Sequence, residues 1–140
     1  MASPTKVLFV CIHNAGRSQI AAALANYLHA GVLDARSAGL NPDVQVSAAA
    51  AHVLARRGMD ITGNVPRMLE NADLDDADVV ITLVRDVEIE VPDGVHEESW
   101  LLPDPASWEP EHLEPLVDHI AARIDDLVAR RHAESIVRTA

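Results

Sequence analysis

Residues 7–19 read VLFVCIHNAGRSQ, and everything else in the chain is interpreted from this stretch. Val7 to Val10 form an unbroken apolar run, the pattern of a strand covered on both faces. A turn follows, and from Arg17 onward apolar residues return at helical spacing. Between the two elements sits Cys11-Ile12-His13-Asn14-Ala15-Gly16-Arg17-Ser18: a cysteine, five residues, an arginine and a serine. Cys11 is the single cysteine among 140 residues.

This order suits attack by a thiolate on a bound tetrahedral oxyanion, because the thiolate is the nucleophilic form of cysteine. The first N–H groups of a helix have no intrahelical partner, so they favour a neighbouring anion and cradle it. Arg17 adds a planar fork of donors that holds two anion oxygens at once. Ser18 is expected to donate to the Cys11 sulfur and to cap the helix. Gly16 is expected to allow a backbone conformation that a side chain resists. Asn14 tolerates left-handed geometry and is expected to brace the loop with its amide. Ile12 and Ala15 complete the anion-binding loop. His13 belongs to the same loop and reads as a histidine facing the cleft or solvent, without a catalytic part. Far along the chain, Leu102-Pro103-Asp104-Pro105 holds one acid between two backbone-restricting prolines. Placed over the anion, Asp104 can protonate the oxygen that leaves.

With these residues in view, the chain resembles the low-molecular-weight phosphotyrosine phosphatase superfamily and, within it, the arsenate reductase branch. The likeness extends from about Lys6 to the last helix. It is carried by VLFVCIHNAGRSQ, ARSAGLNP (35–42), GMDITG (58–63), ADVVITL (77–83) and WLLPDPA (100–106). The form HNAGRSQ is most similar to actinobacterial, mycothiol-dependent arsenate reductases. The resemblance implies catalytic roles for Cys11, Arg17 and Asp104, no bound cofactor, mycothiol as thiol co-substrate and a mycoredoxin (glutaredoxin-like) partner.

The departures from the family pattern are informative. Thioredoxin-linked members carry two further cysteines after the strand that here reads Val79–Leu83, whereas residues 84–91 contain none. A disulfide relay inside this chain is therefore impossible. Some members hold a potassium ion through an acid on the first helix; the matching position here is Ala22, and no metal site is expected. Phosphatases of the family place an aromatic just after the Asp-Pro pair. Here Ala106 and Ser107 follow, which points to a small substrate and leaves Trp100 and Trp108 as partial substitutes.

Composition narrows the possibilities further. A chain of this length fits one domain, residues 1–140, with a substantial core. It shows no apolar run of membrane-spanning length and no signal-peptide pattern. One cysteine excludes a disulfide framework and a cysteine-rich zinc site, and a lone reactive thiol fits a reducing cytoplasm. The formal net charge of −11, with no basic stripe, argues against nucleic acid as partner. Exposed charges beyond about 8 Å are largely screened at physiological salt, so donors around Cys11 can still attract an anion. The acids Asp86, Glu88, Glu90, Asp93, Glu97 and Glu98 read as a solvated loop.

Strands are expected at Lys6–Cys11, Ala35–Gly39, Asp78–Leu83 and Val95–Ser99. Helices are expected from Arg17 to His29, from Ser47 to Arg57 with Ser47 as cap, and from near Glu114 onward with Pro115 in the first turn. Residues after about Ala133 are expected to fray. Alternating strands and helices give an α/β fold: a three-layer sandwich around a four-stranded parallel sheet, like the low-molecular-weight phosphatases. The cysteine loop then lies at the C-terminal end of the first strand, where open α/β sheets place ligands. The expected activity is arsenate reduction by thiol transfer. A phosphatase acting through phosphocysteine on a phosphotyrosine or small phosphoester is the alternative, and an anion-binding sensor without turnover is a third.

Overall fold

A computed structural model describes residues 3–139, with side chains as far as Glu134. Four strands, β1 (Thr5–Cys11), β2 (Leu33–Gly39), β3 (Val79–Thr82) and β4 (His96–Ser99), form one parallel sheet in the order β2-β1-β3-β4. The helices are α1 (Arg17–Leu28), α2 (Ala48–Arg56), α3 (Asn71–Asp76) and α4 (Pro110–Thr139).

The apolar run of β1 alternates between two cores. Val7, Phe9 and Cys11 join Val79 and Ile81 against α1, α2 and α4, in a cluster that includes Ile20, Leu24, Val53, Leu54, Leu116, Ile120 and Ile124. Leu8 and Val10 face the other side with Ala38, Val80 and Leu74 of α3. Each fully buried large aliphatic or Phe side chain contributes about 1.5–3 kcal/mol. Both central strands are buried on both faces, and this anchors the end of β1 where Cys11 sits. The edge strand β4 is mostly exposed and relies on polar contacts.

Several boundaries differ from expectation for local reasons. β2 begins at Leu33, because its first residues pair with Thr5 and Lys6 of β1. α3 carries only one buried residue, Leu74, too little periodicity to read in advance. α4 starts at Pro110, four residues early: proline suits that first position, while Pro115 falls within the second turn. Just before it, the Ser107 hydroxyl accepts from the Glu109 N–H at 3.2 Å. The helical backbone continues to Thr139, past the point where fraying was expected. Ser47 caps α2 as expected, accepting from the Ala50 N–H at 3.2 Å. Arg57 at the other end of α2 pairs with Glu114 and Asp118 of α4.

Candidate active site

Cys11 ends β1 and the loop that follows curls back over β2. Its carbonyls are tied to residues 40–47: Leu40, Asn41, Asp43 and Ser47 donate their N–H groups to the carbonyls of Cys11, Ile12, His13 and Ala15 at 2.7–3.1 Å. With the carbonyls drawn to one side, the amides of His13, Ala15, Gly16, Arg17 and Ser18 have no backbone acceptor among the described residues. Free donors arranged in this way at the start of α1 can cradle an anion.

The sulfur itself receives hydrogen bonds. The Asn14 N–H reaches Cys11 Sγ at 3.2 Å, and Ser18 Oγ lies 2.8 Å from it. Because the Ser18 oxygen accepts from Asn14 Nδ2 at 2.8 Å, its own proton is free to point at the sulfur. Both bonds strengthen when the sulfur is a thiolate. Ser18 lies inside α1 and caps nothing; the N-cap position is Gly16, without a side-chain bond.

Asn14 is the keystone of the loop. It is fully buried with φ +50°, the left-handed conformation expected of it. Its Oδ1 accepts from the Arg67 N–H at 3.0 Å and from Gln19 Nε2 at 3.3 Å. Gln19 Nε2 also reaches the Asn14 carbonyl at 3.0 Å, and Gln19 Oε1 accepts from Asn64 at 3.1 Å. Arg67 is anchored in turn by the Ser37 carbonyl at 3.2 Å and by Asp73. Gly39 is needed where the loop crosses β2, since a Cβ there would lie 2.7 Å from the Ile12 carbonyl oxygen. Of this support, Gln19, Ser37 and Gly39 fall within motifs visible in the sequence; nothing marks Arg67 and Asn64, which join through the chain reversal after α2. Behind the loop is a cleft of about 780 Å³, lined by Asn14, Gln19, Ala22, Asn64 and Arg67 among others. Ala22, where the family resemblance led to the expectation of no metal site, thus shares this hollow with Arg67. Among the described residues no group of three His, Cys, Asp or Glu side chains is close enough to hold a metal.

On the reactive side lies a cleft of about 490 Å³ containing Cys11, Ile12, His13, Arg17, Asp43 and Trp108 among its lining residues. Trp108 closes one wall, with the Arg17 guanidinium 5.3 Å from its ring centre. Gly16 is small for this reason: its φ is negative, −124°, but an added Cβ would meet the Trp108 ring at 2.7 Å. Of the two candidate aromatics, Trp108 flanks the anion site. Trp100 is 3% exposed and packs edge-on against Phe9 in the core. Asp104 stands at the rim, 89% exposed, where Arg17 Nη2 donates to its Oδ1 at 3.1 Å. The three residues expected to act together are thus adjacent, with Arg17 as the link. The acids of the 86–98 segment do not line this cleft. Glu98 belongs to β4 and is paired, not solvated: Arg130 binds it at 2.8 and 3.0 Å, holding its carboxyl down to about 2 with help from Trp100 and His96.

A parallel α/β sheet with a cysteine loop at a strand end, an arginine fork and a facing acid defines a class of proteins that handle oxyanions by thiolate attack. Within that class, the chain belongs to the low molecular weight phosphotyrosine protein phosphatase family, whose description it matches over residues 6–137. It is 34% identical to a protein of Synechocystis named glutaredoxin arsenate reductase, over 89% of this chain and 97% of that one. Its fold is similar to a thioredoxin-dependent arsenate reductase of Corynebacterium glutamicum, with TM-score 0.81 and 30% identity; 96% of this chain matches, spanning 65% of that one. An arsenate reductase solved in a phosphate-binding state gives TM-score 0.76 at 32% identity, covering 90% of this chain and 98% of the other.

Proposed function

We infer that the protein is an arsenate reductase that works by transfer to an external thiol. The observation that carries this reading is that Cys11, seated in the oxyanion loop beside Arg17 and Asp104, is the only sulfur nucleophile of the chain. Relatives named as arsenate reductases support the substrate.

Arsenate enters the cradle of free amides and takes up the Arg17 fork, which releases Asp104 beside the departing oxygen. The Cys11 thiolate attacks arsenic, Asp104 delivers the proton, and a hydroxyl leaves as water. The product is a pentavalent cysteine–arsenate adduct. With no second cysteine, the next thiol must come from outside. It displaces Cys11 from arsenic and departs as a thiol–arsenate adduct, and a second thiol then reduces that adduct to arsenite in exchange for a disulfide. The HNAGRSQ form of the loop favours mycothiol with a mycoredoxin, in a reducing cytoplasm. The relatives named for glutaredoxin and thioredoxin make those redoxins the first comparison.

Phosphate chemistry is the second reading, favoured by Trp108, whose ring borders the cleft where a flat substituent would lie. Water would then hydrolyse a phosphocysteine. The test is arsenite formation from arsenate with thioredoxin alone and with mycothiol plus mycoredoxin, run beside hydrolysis of an aryl phosphate. Arsenite that depends on the small thiol supports transfer. Aryl phosphate hydrolysis with no arsenite in either mixture supports the phosphatase.

A further inference from the structure

His13, expected to face the cleft or solvent without a catalytic part, shares the reactive cleft with Cys11, Arg17 and Trp108. Its Nδ1 lies 3.1 Å from the carbonyl oxygen of Asn41. A carbonyl only accepts, so Nδ1 carries the proton, and in the neutral ring Nε2 is left with the free lone pair. The Asp43 carboxylate stands 3.9 Å from the same Nδ1. The ring is thus tethered at one nitrogen, backed by an acid and basic at the other, an arrangement that orients a general base.

The thiol-transfer reading leaves a need that no other residue meets. An incoming thiol must lose its proton before it attacks arsenic. Asp104 is by then a carboxylate, having given its proton to the oxygen that left, and an aspartate carboxylate is a poor acceptor for a thiol proton. An imidazole is much better matched to that task near neutral pH. We propose that His13 is the general base for the external thiol, so that the cleft wall formed by His13, Ile12 and Asp43 is the co-substrate subsite.

The step balances without a change of oxidation state. The thiol proton passes to His13 Nε2, the thiol sulfur bonds to arsenic, and the arsenic–Cys11 bond breaks. The Cys11 sulfur leaves as a thiolate, received by the Asn14 N–H and the Ser18 hydroxyl. Imidazolium then gives its proton to water.

This inference rests on the thiol-transfer reading, and two thiols of different acidity separate their failures. The measurement is kcat/KM for the thiol, at saturating arsenate, with 2-mercaptoethanol and with the more acidic 2,2,2-trifluoroethanethiol. In each case a second molecule of the same thiol reduces the released adduct to arsenite. His13→Gln keeps a donor for the Asn41 carbonyl but removes the basic nitrogen. The expected loss at pH 8 is about 100-fold with 2-mercaptoethanol and only a few-fold with the acidic thiol, most of which is already thiolate there. Equal losses with both thiols, or no loss with 2-mercaptoethanol, would overturn the assignment of His13. If the unaltered protein forms no arsenite with either thiol or with mycothiol plus mycoredoxin, the thiol-transfer reading fails and this inference fails with it.

Discussion

The loop that carries Cys11 and the segment that carries Asp104 meet at Arg17, but they are held in place by different means. Residues 11–18 are fixed by four backbone bonds to the 40–47 segment and by the buried Asn14, Gln19 and Arg67 network. Asp104 is almost fully exposed and is held by one ion pair to a residue of the other half. An exposed pair of that kind is worth about 0–1 kcal/mol. The anion cradle is therefore built before substrate arrives, whereas the acid is placed by a contact that substrate itself competes for. On the proposed reading, binding is the property of the firmly held half, and proton delivery that of the loosely held one.

Replacing the nucleophile tests the rigid half most severely. Cys11→Ser is expected to lower turnover at least about 10⁴-fold while leaving the melting temperature nearly unchanged, since the hydroxyl retains the shape but not the nucleophilicity. Residual turnover near that of the unaltered protein would remove Cys11 from the mechanism. Next in size, Asn14→Ala strands the Arg67 N–H inside the fold and removes the Nδ2 donor to Ser18, while the Gln19 amide keeps the main-chain carbonyl of residue 14. It should cost about 3 kcal/mol in urea denaturation and about 100-fold in turnover, because the loop loses its preset geometry. A change below about 1 kcal/mol would mean that the backbone bonds alone hold the cradle.

Asp104→Asn probes the other half. It is expected to slow adduct formation about 100-fold, to change arsenate binding only a few-fold, and to move stability by no more than about 0.5 kcal/mol. Equal losses in binding and in chemistry would show that the acid also shapes the cradle. Trp108→Ala removes the ring stacked against Arg17, worth about 0.5–1 kcal/mol, and should raise the arsenate KM about 3-fold.

A control far from both halves is Glu98→Gln. Arg130 holds the Glu98 carboxyl down to about 2 from an ordinary 4.5, so this group adds stability above its unfolded value and loses it as pH falls toward 2. Arg130 is 44% exposed, so solvent screening reduces the contribution to about 1 kcal/mol. The variant should be less stable than the unaltered chain at pH 7, with the gap closing between about pH 5 and pH 2. Turnover should be unaffected. A stability gap that persists at pH 2 would place the role of Glu98 in packing instead.

The same contrast explains what was legible in the sequence. Val7–Ser18 is local: strand, turn and helix are contiguous, so the loop could be read from spacing. The α/β class followed from the apolar runs at 7–10 and 79–83. Asp104 was readable because prolines bracket it, although its link to Arg17 spans 87 residues. The support of the loop was not readable, because Asn64 and Arg67 reach Asn14 through tertiary placement and carry no motif. Trp108 was one of two candidates, and only packing separated it from Trp100, which the core claims through Phe9. The start of α4 was misplaced because two prolines compete as the first helical residue, and Ser107 with Pro110 prevails. Gly16 was expected to serve backbone freedom; its smallness instead admits the ring of Trp108.

The most direct test of the account is the intact mass of the protein, quenched during turnover with arsenate and excess small thiol. Transfer to an external thiol predicts that Cys11 is found either free or carrying arsenate, with the disulfide forming only between thiols outside the chain. Accumulation of a mixed disulfide between Cys11 and the small thiol would contradict it, because the electrons would then pass through Cys11 itself.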